Sequence, residues 1–183
     1  YRELLSGGWF HKIGVGLLQK DDGPYDFLKD YPVRPARFTV DGTDRQLKIT
    51  CTGVLTNGYA YVLEKTIVLL DNGFEIKYKL ENTGNKQIIT TEYNHNFLAI
   101  GDAAIGPQYQ LDYAFTLDEN VLDENINPEY LVRFTGQQIK LASVPSQAFF
   151  FSDLSGSANV AAAWTLTNKE MGIAITESGN FTT

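Results

Sequence analysis

The chain has 183 residues, of which 43% are hydrophobic and 20% charged, a composition typical of a globular protein rather than a disordered one. Its formal net charge is −7, and its 15 lysines and arginines are scattered, so it lacks the basic stripe that binds nucleic acid or an anionic membrane. The single cysteine excludes an intrachain disulfide. No apolar run approaches the ~18 residues that span a bilayer. We therefore expect a cytoplasmic protein with neither nucleic acid nor membrane as partner.

Strict alternation of apolar and polar residues predicts β-strands along most of the chain. The dipeptides Asp41-Gly42, Asn57-Gly58 and Asn72-Gly73 predict tight hairpin turns that use positive φ. The clearest predicted strands are "QLKITCT" (46–52), "AYVLEKTIVLL" (60–70), "FEIKYKL" (74–80), "NVAAAWTLT" (159–167) and "MGIAITE" (171–177).

Helical signals are few. The segments 23–31 and 127–134 each have the composition of one or two helical turns, and the acidic stretch 117–130 is typical of a surface excursion. We predict one antiparallel all-β domain over residues 1–183. The chain begins at Tyr1 rather than methionine, and its last residues read as the start of a strand. We therefore expect this domain to be truncated at both ends.

The segment "TTEYNHNFLAI" (90–100) carries one of the two histidines in the middle of a strand-like run. If residues 87–99 form a strand, His95 shares a face with Ile89, Thr91, Tyr93 and Phe97. An aromatic face shields a histidine from water, so that burial or a neighbouring carboxylate can set its charge state. The alternative is a core histidine whose ring nitrogens bond to backbone.

Glu177 raises a similar question near the end of the chain. It follows Met171, Ile173 and Ile175 in the same alternating phase, so the pattern points a carboxylate towards the core. A lone buried carboxylate is costly unless it is paired or hydrogen-bonded. Either the strand ends at Thr176 and Glu177 turns to solvent, or the carboxylate has a chemical role. A carboxylate and a histidine on inward faces of different strands would supply a general base and a general acid.

Signals for a metal or a cofactor are absent from the sequence. Two histidines and one cysteine give no zinc-ligand spacing, and the acidic residues between 118 and 124 lack the spacing of a calcium loop. The "GVG" at 14–16 is not followed by the rest of a dinucleotide-binding pattern. We expect no metal and no cofactor.

The stretch "LDNGFEIKYKLENTGNKQIITTEYNHNFLAIG" (70–101) resembles the corresponding part of the aldose 1-epimerases, or galactose mutarotases. In that family a strand opened by a tyrosine is followed by an Asn-His segment with an aromatic residue shortly after. Here Tyr78 opens the strand, Asn94-His95 occupies the Asn-His positions, and Phe97 supplies the aromatic residue.

Two further stretches resemble the same family. A family glutamate follows a Gly-hydrophobic-x-hydrophobic strand near the C-terminal end, and "GIAITE" presents Glu177 in that setting. The segment "FHKIGVGLLQKDDGPYDFLKDY" (10–31) is similar to a divergent bacterial branch described as aldose epimerase-like.

The resemblance implies a galactose mutarotase-like antiparallel β-supersandwich whose concave sheet holds a monosaccharide or a sugar-derived small molecule. It also implies that His95 is the general acid and Glu177 the general base of an anomer-interconverting reaction. Asn94 or Asn96 would hold sugar hydroxyls. This chemistry requires neither cofactor nor metal.

The chain departs from the family pattern at several positions. The family's second histidine stands in an Asn-x-x-His-Gly-Gly loop that has no counterpart here. His11 and Lys12 lie in roughly the corresponding region, and Arg2 is the candidate for an upstream family arginine. Ordinary strand-edge and surface residues are the alternative interpretation of these three. No counterpart of the substrate-binding aspartate is evident, so the identity of the sugar stays open.

Two other functions remain open from the sequence. A hexose 6-phosphate epimerase would need a cationic pocket, for which Arg34 and Arg37 form the one local arginine pair. A carbohydrate-binding domain without turnover would need neither His95 nor Glu177. A purely structural role leaves both polar inward positions unexplained. The sequence leaves the oligomeric state undetermined.

Overall fold

The computed structural model describes residues 4–90, 97–152, 154 and 161–182. These residues form antiparallel β-sheets, and no helix occurs among them. The prediction of an antiparallel all-β fold is confirmed, whereas the supersandwich arrangement stays a prediction. The chain divides into two compact units, Tyr1–Tyr93 and Asn94–Thr183, and the prediction of a single domain stays untested.

The first unit contains a small sheet and a larger one. The small sheet has the order β1-β2-β3, and the larger sheet has the order β4-β5-β6-β7. Their bounds are Trp9–Lys12 (β1), Gly16–Gln19 (β2), Val33–Pro35 (β3), Arg37–Gly42 (β4), Gln46–Thr56 (β5), Tyr59–Leu70 (β6) and Gly73–Asn82 (β7).

The alternating pattern gives the larger sheet one apolar and one polar face. In β7 the side chains of Phe74, Ile76 and Tyr78 lie on the apolar face, and the register pairs them with β6. The opposite face carries charge, and Lys77 Nζ lies 3.0 Å from the Glu75 carboxylate there. Phe74 is 66% exposed, so the apolar face is open at the β7 edge.

The small sheet covers the other end of this apolar face. Tyr61 of β6 is 1% exposed, and its hydroxyl accepts a hydrogen bond of 3.1 Å from the Gly14 N–H in the β1–β2 turn. Cys51 of β5 is 2% exposed beside it. The core of this unit therefore lies where β1 and β2 meet the middle of the larger sheet.

The second unit contains a five-stranded and a two-stranded sheet. The orders are β10-β11-β8-β13-β14 and β12-β9. Their bounds are Tyr109–Tyr113 (β8), Asn125–Ile126 (β9), Val132–Thr135 (β10), Gln138–Leu141 (β11), Phe150–Phe151 (β12), Ala161–Asn168 (β13) and Ile173–Thr182 (β14).

One face of the five-stranded sheet forms the core of this unit. Leu117, Val132 and Ile139 are its buried centre. The surrounding half-buried residues are mainly aromatic, namely Leu111, Tyr113, Phe115, Phe134, Phe149, Phe151 and Leu154. Aromatic side chains therefore supply much of the apolar surface around this core.

Four local predictions are wrong. Asp41-Gly42 does not form the predicted turn, because both residues lie in β4 and pair with β5, and Gly42 has no positive φ. Residues 23–31 and 127–134 contain no helix, and the second range runs into strand β10. The Asn72-Gly73 turn is displaced by one residue, because Leu70 pairs with Gly73 and the loop is Asp71-Asn72. Gly73 has no positive φ.

The strand expected over residues 87–99 is not formed at either described end. Residues 87–90 and 97–99 lie outside any strand, and residues 91–96 fall outside the described part. Ile89 is 88% exposed and Phe97 is 90% exposed. These two side chains therefore do not form the shielding aromatic face that the alternation predicted. Among the described residues, no helix is long and apolar enough to cross a membrane.

Candidate functional site

Glu177 lies in the middle of a strand. Strand β14 continues to Thr182, so the alternative in which the strand ends at Thr176 is wrong. Glu177 is directly opposite Trp164 of β13, and Trp164 is directly opposite Tyr113 of β8. Directly opposite residues of antiparallel strands share a face of the sheet. Glu177, Trp164 and Tyr113 therefore form one cross-strand row, called here the Glu177 row.

The Glu177 row lies on the apolar face of the five-stranded sheet. The row beside it is formed by Ile175, Leu166 and Leu111, and it continues into the buried core at Ile139. A half-buried carboxylate thus stands at the edge of an aromatic and aliphatic surface.

The opposite face of the same sheet is polar, which fixes the direction of Glu177. Thr165 and Thr176 are paired there, with their hydroxyl oxygens 3.0 Å apart. On β8 and β11 the Gln138 side-chain amide donates to the Asp112 carboxylate at 2.7 Å. Because the side chains alternate, Glu177 belongs to the face opposite these groups.

The Glu177 row combines three kinds of chemistry. The carboxylate accepts protons and hydrogen bonds. The Trp164 indole offers a flat apolar surface with an N–H at its edge. Burial raises the pKa of Tyr113 to about 12, so its phenol stays protonated and able to donate at neutral pH.

His95, Asn94, Asn96 and Arg2 lie outside the described residues. The expected roles of His95 as general acid, and of the two asparagines and Arg2 as sugar ligands, therefore stay predictions.

His11 lies in β1 of the first unit, and its ring bridges the two sheets of that unit. Its Nε2 lies 3.0 Å from the carbonyl oxygen of Tyr59, and its ring meets the Tyr61 ring edge-on at 5.3 Å. A carbonyl only accepts, so Nε2 carries the proton. The other ring nitrogen, Nδ1, is buried and has no hydrogen-bond partner in the described part of the chain.

Lys12 faces a different environment from its neighbour. Its ammonium donates to the Tyr25 hydroxyl at 2.6 Å and lies 5.0 Å from the centre of the Phe27 ring. The Lys12 ammonium therefore contacts aromatic residues of the loop between β2 and β3. Whether Lys12 also binds substrate stays a prediction.

A cleft of about 430 Å³ lies against β1–β3, and His11 lines it. Arg34 of β3 and Leu17 of β2 line it as well, together with the end of β5 from Gly53 to Thr56. We call it the Arg34 cleft. The Arg34 guanidinium carbon lies 3.9 Å from the centre of the Trp9 ring.

Sequence reasoning missed Trp164, Tyr113 and the position of Arg34. The alternation in "NVAAAWTLT" placed Trp164 on a face, but alternation contains no information on which distant strand pairs with it. The Glu177 row depends on pairing β13 with β8, about 50 residues away along the chain. Arg34 was noted only as half of an arginine pair, and the cleft beside it depends on packing of the two sheets.

No protein-family model, curated protein or solved structure matches this chain. Within the described ranges, no group of three or more His, Cys, Asp or Glu side chains is placed to hold a metal ion.

Proposed function

We propose that this protein is an aldose 1-epimerase that interconverts the α and β anomers of a free sugar. The observation that carries the proposal is the position of Glu177, held in mid-strand on an apolar face and next to Trp164. Charged side chains rarely lie on the apolar face of a sheet, so a carboxylate at this position is a candidate for a chemical role. The resemblance around His95 supplies the second proton carrier.

The reaction needs two proton transfers in opposite directions. Glu177 takes the proton from the anomeric hydroxyl, while protonated His95 gives a proton to the ring oxygen. The C1–O5 bond breaks, the sugar opens to an aldehyde, and the C1–C2 bond rotates. Ring closure on the other face reverses both transfers and restores the two side chains.

The surroundings of Glu177 suit a sugar. The face of a pyranose that carries axial C–H bonds is apolar and stacks on an aromatic ring, for which Trp164 is the adjacent candidate. Asn94 and Asn96 are the proposed partners of the hydroxyls. The half-buried position of Glu177 strengthens its electrostatic interaction with bound groups, because the effective dielectric constant there is below that of water.

The proposal is tested by NMR exchange spectroscopy on the anomers of a panel of free hexoses and pentoses. We expect catalysed exchange with at least one sugar, and loss of that exchange in His95→Asn. The variant should keep the thermal unfolding midpoint of the parent chain, because a catalytic histidine is not needed for the core. A variant that unfolds instead would identify His95 as a structural core residue.

A carbohydrate-binding domain without turnover is the second candidate, and the Glu177 row favours it as well. Stacking on Trp164 and hydrogen bonds to Tyr113 would be sufficient for binding. Line broadening of sugar resonances without anomer exchange would identify this function and exclude the epimerase.

A further inference from the structure

We propose that the Arg34 cleft of the first unit binds the anionic group of a small hydroxylated molecule, a carboxylate or a phosphate. Arg34 holds the oxoanion, and Thr56, which lines the same cleft, bonds to a hydroxyl of the molecule. The proposal uses residues of the first unit alone and does not depend on the Glu177 chemistry.

Arg34 and His11 stand on one face of the small sheet. His11 of β1 is directly opposite Leu17 of β2, and Leu17 is directly opposite Arg34 of β3. Adjacent strands are about 4.8 Å apart, so the backbones of His11 and Arg34 are separated by about 10 Å across this row.

The charge of the cleft is opposite to that of the whole molecule. The chain carries a net charge of −7, yet among the described residues no Asp or Glu lines the Arg34 cleft. Arg45 of the same unit is paired with Asp71 at 2.7 Å. Within the described residues, by contrast, the Arg34 side chain makes neither an ion pair nor a hydrogen bond, and its guanidinium lies against the Trp9 ring.

The contact with Trp9 orients the Arg34 guanidinium. Stacking on the indole occupies a flat face of the guanidinium and leaves the N–H groups at its edge. Those N–H groups form the fork that binds two oxygens of a carboxylate or phosphate at once. A stacked arginine also has fewer rotamers to lose when it binds an anion.

Thr56 supplies the second polar group of the cleft. His11 also lines it, but its Nε2 is used by the Tyr59 carbonyl and its Nδ1 is buried, so the ring nitrogens are not offered to a ligand. A hydroxyl group such as that of Thr56 both donates and accepts hydrogen bonds, as the hydroxyls of a ligand do. The remaining walls are apolar at Leu17, Pro35 and Leu55.

Two glycines keep the Arg34 cleft in shape. Gly16 has a φ of 146°, and a Cβ there would lie 2.2 Å from the Arg34 carbonyl oxygen. A Cβ on Gly53 would lie 2.4 Å from the Tyr61 ring. Larger residues at these positions would separate the strands that bring Arg34 and His11 to the same cleft.

The proposal is tested by isothermal titration calorimetry on the full chain with four probes. These are glucuronate, glucose 6-phosphate, neutral glucose, and acetate as an anion without the hydroxylated skeleton. We expect at least one of the two charged sugars to bind about tenfold or more tightly than both glucose and acetate. The charged sugar that binds identifies the anion as carboxylate or phosphate.

The variant that tests the site is Arg34→Gln, and Arg37→Gln is its matched control. Both arginines are exposed, but Arg37 is not part of the cleft lining. Arg34→Gln should abolish the preference for the charged sugar, whereas Arg37→Gln should keep it. Glu177→Gln should also keep it, which separates this site from the proposed epimerase.

Three results would overturn the proposal. One is equal affinity for glucose and the charged sugars, and another is an absence of binding by both charged sugars. The third is equal loss of affinity in Arg34→Gln and Arg37→Gln, which would mean that general charge rather than the cleft attracts the anion.

Discussion

At the scale of single residues, the buried Tyr61 phenol makes the first unit sensitive to alkali. Its hydroxyl oxygen accepts a hydrogen bond from the Gly14 N–H and lies 3.8 Å from Cys51 Sγ. Burial raises the pKa of Tyr61 from 10.0 to about 12. The folded state therefore holds this proton more tightly than the unfolded state does.

Because the folded pKa is raised, the resulting stabilisation is complete below pH 10 and is lost as the pH rises towards 12. We predict that the free energy of unfolding in urea falls over this range, and that Tyr61→Phe removes part of the fall. Tyr113, whose pKa is also raised to about 12, accounts for another part. Tyr78 is 48% exposed, so Tyr78→Phe is the control. The same pH dependence of unfolding in the parent chain, Tyr61→Phe and Tyr78→Phe would contradict the prediction.

Gly53 is a second residue whose role appears only in the folded structure. A Cβ at this position would lie 2.4 Å from the Tyr61 ring, which is buried and cannot move freely. We predict that Gly53→Ala lowers the free energy of unfolding by about 1–3 kcal/mol, as overpacking does. Gly73→Ala is the control, since a Cβ there meets nothing within 4 Å. The measurement is chemical denaturation of Gly53→Ala and Gly73→Ala. Equal free energies of unfolding in the two variants would contradict the predicted steric clash.

At the scale of elements, Asn168 organises the turn between β13 and β14. It is 0% exposed, and its Oδ1 accepts hydrogen bonds of 3.1 Å from the N–H groups of Glu170 and Met171. We predict that Asn168→Ala lowers the free energy of unfolding by about 1 kcal/mol, because the N–H groups of Glu170 and Met171 lose their acceptor. The exposed Asn180 of β14 provides the control, Asn180→Ala. Thermal and urea unfolding of Asn168→Ala and Asn180→Ala test this prediction. Equal stability of the two variants would contradict it.

The sequence predicted the strands better than the connections between them. Alternation located β5, β6, β7, β13 and β14, because burial of one face imposes a period of two. Asn57-Gly58 adopts positive φ values of 55° and 86°, as its turn chemistry requires. The turn at Asp71-Asn72 is displaced from the predicted Asn72-Gly73, because the pairing of β6 with β7 sets the loop. Tertiary pairing prevailed over local turn preference there.

At the scale of the whole molecule, sequence reasoning gave the fold class and part of the candidate site. The phase of "GIAITE" placed Glu177 on the inward face, and the structure has it on the apolar face of its sheet. The aromatic partners of Glu177 could not be predicted, since they come from the order β8-β13-β14 rather than from local pattern. The same holds for the Arg34 cleft, which depends on how two sheets pack in the first unit.

The fold class itself has a direct spectroscopic consequence. The described residues contain antiparallel sheets and no helix, so we predict a far-UV circular dichroism spectrum with the single minimum of β-structure. Intense double minima typical of helix would contradict the architecture described for both units.

The most direct test of the account compares Glu177→Gln with the parent chain in NMR exchange spectroscopy on free sugars. Glu170→Gln is the matched control, because Glu170 is an exposed glutamate in the turn before the same strand. We predict that the parent chain and Glu170→Gln catalyse anomer exchange, and that Glu177→Gln is slower by about 10²–10⁴-fold, as expected for loss of a general base. Undiminished exchange in a folded Glu177→Gln variant would contradict the central claim.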